Sequence, residues 1–310
     1  MADRPRIVFM GTPEFAVPSL EACVALGEVV MVVTQPDKPK GRGRELGVPP
    51  VKEWALAHGL AVRQPEKLKA TRFHEELLPL SADVAVVAAY GKILPPEVLA
   101  APRMGCVNVH ASLLPKYRGA APIQWAIARG EEKTGVCLML LEAGLDTGPL
   151  IACRELALGP ADTGGSLHDS LARMGAEILR AELPAFLEGE RVPVPQDHAR
   201  ATLAPILKKE DGRLDFGQPA RVLEARLRAF TPWPGAFTHI RGKLVKVLRA
   251  RVADGRGAAG EVLGADHAGI EIACGEGSLF FVEVLPEGKR PMSAAQFLSG
   301  HPLGKGEKIG

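Results

Sequence analysis

The sequence predicts an α/β domain with a doubly wound, mostly parallel sheet, followed by a smaller β-barrel domain. Three observations carry this. Apolar runs of strand length alternate with helical patterns over the first part of the chain, the mark of successive βαβ units. A stretch holding Pro193, Pro195 and Pro205 then ends the alternation. Beyond it, short strand-like runs are separated by glycine turns, as in small barrels. The 310 residues exceed one typical domain, and 46% hydrophobic content is ample for two cores. The predicted organisation is a first domain over residues 1–188, a linker over 189–205 and a second domain over 206–310.

In chain order, Arg6-Ile7-Val8-Phe9-Met10-Gly11-Thr12-Pro13 reads as a buried strand, a tight glycine turn and a helix entered through proline. Strands follow at 29–33, 84–89, 106–110 and 135–141, with helical patterns at 51–57 and 122–129 between them. A helix at 166–187 closes a Rossmann-like unit. Gly11 stands without the Gly-x-Gly-x-x-Gly turn, so no nicotinamide cofactor is expected. In the second domain a helix at 220–230 precedes strands at 236–241, 243–252, 260–263, 269–274 and 278–285, and a helix at 293–298 ends the series.

The formal net charge of +2 hides an asymmetry. From Arg200 onward 17 Lys and Arg stand against 12 Asp and Glu, so the tail is about +5 and the front about −3. Between Arg221 and Arg251 eight basic residues, including Arg241, Lys243 and Arg249, face the single acid Glu224. Solvated charge is one reading of that run; contact with a nucleic-acid backbone is the one favoured by its clustering on a small barrel. A second basic group, Lys38, Lys40, Arg42 and Arg44, lies in the Gly/Pro-rich segment 34–50. That segment is far longer than the roughly two to six residues usual for such a connection. It is expected to be mobile when free and to order against phosphates.

The five cysteines, Cys23, Cys106, Cys137, Cys153 and Cys274, lie singly among apolar residues and read as buried thiols in a reducing compartment. None stands near a His at ligand spacing, and no metal is expected. The first strand begins near Arg6 and no apolar run reaches membrane-spanning length. The expectation is a cytoplasmic protein without targeting or membrane segment.

Chemistry concentrates in one strand and the turn after it. The two-residue period of Cys106-Val107-Asn108-Val109-His110 turns Val107 and Val109 to one face and Asn108 and His110 to the other. A Pro/Gly-rich turn follows at once, which places the polar pair at the carboxyl end of the strand, where open α/β sheets hold their ligands. Asn108 can donate to a developing oxyanion, and His110 can donate or carry a proton. Asp146, in the turn Gly144-Leu145-Asp146-Thr147-Gly148, can orient the imidazole and move protons. Such a trio suits attack of an amine on a carbonyl.

Asn108-Val109-His110-Ala111-Ser112-Leu113-Leu114-Pro115, with the later Leu145-Asp146-Thr147-Gly148, resembles the folate-dependent formyltransferases. The extension Lys116-Tyr117-Arg118-Gly119-Ala120-Ala121-Pro122-Ile123-Gln124 is similar to the branch of that family acting on methionyl-tRNA. The resemblance implies that Asn108, His110 and Asp146 are catalytic and that Ser112, Leu113, Leu114 and Pro115 contact tetrahydrofolate. It implies that residues around Tyr90 and Gly91 line a pterin pocket and that the second domain is an OB-like barrel. It also implies that segment 34–50 meets the acceptor arm of initiator tRNA, with Arg42 at the matching position.

The implied reaction moves a formyl group from 10-formyltetrahydrofolate to the methionine amine of initiator methionyl-tRNA, in a monomer without metal. A formyltransferase for a nucleotide-linked amino sugar and a noncatalytic RNA-binding adaptor are the alternatives. The basic 38–44 run and Ala120-Ala121-Pro122-Ile123-Gln124 argue against the first, and the complete trio against the second. Arg118 either binds substrate or fixes the turn before the next helix.

Overall fold

The computed structural model describes residues 4–40, 45–69 and 71–310. By packing, the chain forms two units. Met1–Pro122, Lys133–Leu156 and His168–Ala204 make the first, and Ile123–Glu132, Ala157–Leu167 and Pro205–Gly310 the second. Among the described residues no helix is long and apolar enough to cross a membrane.

Seven strands form the sheet of the first unit, in the spatial order Val62–Arg63, Glu28–Val33, Arg6–Gly11, Val84–Ala88, Cys106–His110, Lys133–Leu140 and Leu150–Ala157. The first five run parallel, and Lys133–Leu140 is antiparallel to Cys106–His110. This is the mixed, mostly parallel sheet expected. Its near-continuous apolar strands reflect burial on both faces. Register fixes which residues share a face: Val8 pairs with Met31 and Ala85, and Met10 with Val33 and Val87. Ala85 in turn pairs with Cys106, and Val87 with Asn108.

Directly opposed residues point the same way. Val8, Met10, Met31, Val33, Ala85, Val87 and Cys106 accordingly share one core with Phe73, Leu77 and Val98, and Asn108 and His110 continue that face beyond Cys106. Val107 and Val109 face the other side, where the helix Gly164–Leu187 lies against the sheet. A Cβ at its Gly175 would come within 2.8 Å of Val109 Cγ1, so glycine permits the approach.

Three expectations need correction. Cys137 and Cys153 are not free thiols: they lie on neighbouring strands with Cα atoms 4.1 Å apart and are joined as a disulfide. Strand register makes partners of residues that sequence shows only as isolated apolar cysteines. Cys23, Cys106 and Cys274 are buried thiols, and burial pushes Cys106 up to about 12. The prolines of 189–205 do not exclude regular structure, because Leu203–Ala204 lies downstream of Pro193 and Pro195 and pairs in parallel with Arg118–Gly119. Segment 34–50 is not wholly irregular either: Lys38–Lys40 pairs with Glu45–Gly47, antiparallel. Arg42 and Arg44 lie outside the described residues.

In the second unit the sheet order is Ala236–Ile240, Lys243–Ala253, Ser278–Pro286, Gly269–Ala273 and Val262–Asp266, antiparallel throughout. Ile240 from one edge strand and Val262 from the other enter the same core. Leu223 and Leu227 of the helix Ala220–Ala229, and Phe297 of the helix Ala294–Gly300, complete that core. The last helix is fixed by a capping box in which the Ser293 hydroxyl and the Gln296 side chain each accept the other's backbone N–H.

Candidate active site

Asn108 and His110 are 9% and 6% exposed at the end of their strand, opposite Met139 and Cys137. The turn that follows is built to hold His110. Ser112 Oγ donates to the Lys116 carbonyl (2.7 Å), Lys116 N to the Leu113 carbonyl (3.1 Å), and Leu114 packs with Cys137 and Met139. Tyr117 is thereby held at φ 62°, in the left-handed region that non-glycine residues seldom occupy. Its carbonyl lies 3.0 Å from His110 Nε2. A carbonyl only accepts, so Nε2 carries a proton, and Nδ1 is the nitrogen free to exchange one. Nδ1 faces Asp146 Oδ2 at 3.8 Å, close for a charge and too long for a direct hydrogen bond.

Asp146 also sits at positive φ, 48°. Its Oδ2 accepts the Gly119 N–H at 2.8 Å. Gly119 has φ 119°, and a Cβ there would lie 2.7 Å from the Ala204 carbonyl, so this position requires glycine. Non-glycine residues in such backbone cost about 1–3 kcal/mol each and persist where surroundings over-determine them, which is common at functional sites. Among the described residues the Asn108 amide makes no hydrogen bond, so its donor is available to a ligand.

The other predicted folate contacts are placed less uniformly. The Ser112 hydroxyl is engaged within its turn and Leu114 is buried, while Leu113 and Pro115 are partly exposed. The Tyr90 ring is 2% exposed in the apolar core beside Met10 and Phe73, where burial pushes its hydroxyl up to about 12. What Tyr90 offers at the strand end is its carbonyl, which accepts from Thr12 Oγ1 (3.1 Å) and Gln35 Nε2 (2.8 Å). Gly91 follows at φ 77°. Sequence reasoning missed Thr12, Gln35, Gln196 and Thr202. Thr202 accepts the Tyr117 N–H through its hydroxyl (2.9 Å) and the Arg118 N–H through its carbonyl (2.9 Å). No periodic signal marks these residues. Arg118 is 7% exposed, and its guanidinium is engaged within the protein by Gln196 and His198.

The predicted RNA-facing residues divide. Lys38 is exposed and donates to Gln35 Oε1 (2.6 Å). Arg241 is held bidentate by Glu307 (2.8 and 2.9 Å), which raises its pKa further, so its charge is already answered. Lys243 and Arg249 are exposed and make no ion pair among the described residues.

A polar pair at a strand end, with a carboxylate 3.8 Å from its imidazole and its amide unengaged, is an arrangement chemically suited to acyl transfer. Residues 5–183 match the formyl transferase model, and residues 206–302 match the model of the formyl transferase C-terminal domain. The chain belongs to the formyl transferase family. It is 60% identical over 305 residues to the methionyl-tRNA formyltransferase of Myxococcus xanthus, covering 98% of both chains.

Two solved structures share the family fold. The N-formyltransferase of Helicobacter canadensis, in complex with folinic acid and dTDP-3-aminofucose, matches at TM-score 0.68 and 16% identity, over 89% of this chain and 98% of that one. HypX of Aquifex aeolicus, in complex with tetrahydrofolic acid, matches at 0.62 and 19%, over 99% and 51%. At such identities the likeness is one of fold.

Proposed function

We propose that this formyltransferase moves the formyl group of 10-formyltetrahydrofolate to the amino group of methionine on initiator methionyl-tRNA, for translation initiation. The convergence of Asn108, His110 and Asp146 at one strand end carries the reading, with the 60% identity to a methionyl-tRNA formyltransferase as its support for the acceptor. The amine attacks the formyl carbon and the C=O pair moves onto oxygen. The Asn108 amide donates to that oxyanion, as does His110 through Nδ1 when it carries a proton there. Asp146 takes the proton released by the amine. Directly or through His110, the proton passes to the folate nitrogen as its bond to the formyl carbon breaks.

The first domain, residues 1–188, supplies the chemistry. Segment 34–50 and the domain after residue 205 supply the tRNA contacts, through Lys38, Lys40, Arg42, Arg44, Lys243 and Arg249. The enzyme acts as a cytoplasmic monomer and needs no metal or nicotinamide. Purified protein supplied with 10-formyltetrahydrofolate should formylate initiator methionyl-tRNA far faster than a nucleotide-linked amino sugar; the reverse order would overturn the choice of acceptor. Asp146→Asn should fold and bind folate yet lose most single-turnover activity, and near-normal turnover would remove Asp146 from the mechanism.

A further inference from the structure

We propose that Gln196 is the positioning residue of Asp146, and that buried Arg118 holds Gln196 in place for that role. The inference rests on reading Asp146 as the proton-transfer carboxylate. Gln196 lies 50 residues beyond Asp146, in an irregular stretch where its neighbours Pro195 and Asp197 are both exposed, yet it is itself 6% exposed. Its amide nitrogen donates to the Asp146 carbonyl (2.9 Å) and to the Gly148 carbonyl (2.7 Å). Its oxygen accepts from Arg118 Nε (3.2 Å) and Nη2 (2.6 Å).

Those four bonds use the full capacity of a primary amide, two donors and two lone pairs. They also fix its orientation: a flipped amide would set oxygen against two carbonyls and NH2 against a guanidinium. Arg118 Nη2 is further accepted by His198 Nδ1 (3.0 Å), and Arg118 N is anchored on the Thr202 carbonyl (2.9 Å). The next residue, Gly119, donates its N–H to Asp146 Oδ2 (2.8 Å). A closed ring results, running from the Asp146 carbonyl through Gln196 and Arg118 to Gly119 and back to the Asp146 carboxylate.

The ring has a mechanical consequence. Asp146 is held at φ 48°, which a non-glycine residue leaves when it is free to relax. Gly119 grips only the carboxylate, and Gln196 grips the peptide, spanning two carbonyls of one turn. Without the second grip the turn relaxes and the carboxylate swings away from His110 Nδ1. Displacements on the scale of 1 Å at a reacting group cost about a hundredfold in rate.

The test is a double-mutant cycle read in single turnover, at saturating 10-formyltetrahydrofolate and initiator methionyl-tRNA. Gln196→Glu is the decisive variant, because it keeps an acceptor for the Arg118 guanidinium while offering no N–H to the two carbonyls. Gln196→Ala is its companion. Both should lower the chemical step by about tenfold to a hundredfold, with KM for both substrates within about twofold. In an Asp146→Asn background the same changes should cost no more than about threefold further, since the group they position has gone. Gln196→Glu at the wild-type rate, a loss confined to KM, or an undiminished loss on top of Asp146→Asn would each overturn the proposal. A near-normal rate for Asp146→Asn alone would instead sink the reading of Asp146, so the two failures are distinct.

Discussion

Replacing Asn108 by Ala separates catalysis from folding. The side chain is 9% exposed, and its amide makes no hydrogen bond among the described residues. Truncation therefore orphans no protein partner, and the stability cost is limited to packing against neighbours such as Met139, across the register. That loss is about 1 kcal/mol or less, equivalent to a fall of roughly 2–4 °C in melting temperature for a unit of this size.

The transition state loses far more. Removing one preorganised donor to an oxyanion costs about 2.7–4 kcal/mol, or roughly a hundredfold to a thousandfold in rate. The assay is rapid-quench formylation with enzyme in excess over initiator methionyl-tRNA, accompanied by equilibrium binding of folate and a thermal melt. The expected outcome is the full drop in the chemical step, with folate affinity and melting temperature nearly unchanged. An increase in KM with the chemical step intact would refute the oxyanion role, because uniform binding would then be what was lost. A melting temperature lowered by 10 °C or more would refute the argument that the amide is structurally idle.

Limited proteolysis should cut near Lys40 to Arg44, and initiator tRNA should protect the site; Arg42→Ala should lower kcat/KM for tRNA while leaving folate affinity alone, and cutting at equal speed with saturating tRNA would count against the contact. If Lys243 and Arg249 neutralise phosphates, tRNA affinity should fall by roughly 0.7–0.9 log units per phosphate for each tenfold rise in salt. Charge reversal at those two residues should flatten that slope, whereas reversing Arg241 should act mainly through loss of its Glu307 pair; superimposable filter-binding curves for wild type and the Lys243/Arg249 variant would leave the stripe as plain solvated charge.

Asp83 accepts from the Arg6 backbone N–H (2.9 Å) and from the Arg103 side chain (2.9 and 3.0 Å), and these bonds, the backbone one foremost, hold its carboxyl below the usual range. Its folded pKa is the lower one, so the stabilisation is complete above the ordinary carboxylate range and lost as pH falls from there through the depressed folded value. Asp83→Asn should narrow the stability gap between pH 7 and pH 3, and an unchanged gap in urea titrations at the two pH values would disprove the linkage.

Much of the site was legible before any fold was known, for a physical reason. Side-chain direction in a strand follows from backbone geometry alone, so the alternation of Val107 and Val109 with Asn108 and His110 already set two polar groups on one face. The Pro/Gly turn after His110 put them at a strand end, and the motif around Asp146 supplied the third member. Alternating apolar runs likewise gave the parallel sheet, and glycine-separated strands gave the second unit.

Pairing between distant residues is another matter, because it depends on register and crossing, which no local period encodes. Cys137 and Cys153 meet only because their strands are neighbours in a particular register. The Tyr90 ring turns into the core and leaves its carbonyl to Thr12 and Gln35 at the strand end, just past Ala89 at φ 46°. Arg241 pairs with Glu307, 66 residues away. The left-handed turn at Asp146 is closed from both sides by Gly119 and Gln196, one 27 residues before it and the other 50 after. The sequence by itself determined which chemical groups the strand end carries; only the tertiary structure decided what holds them in place, because the holding bonds join segments whose proximity is a property of the assembled sheet and of the chain laid across it.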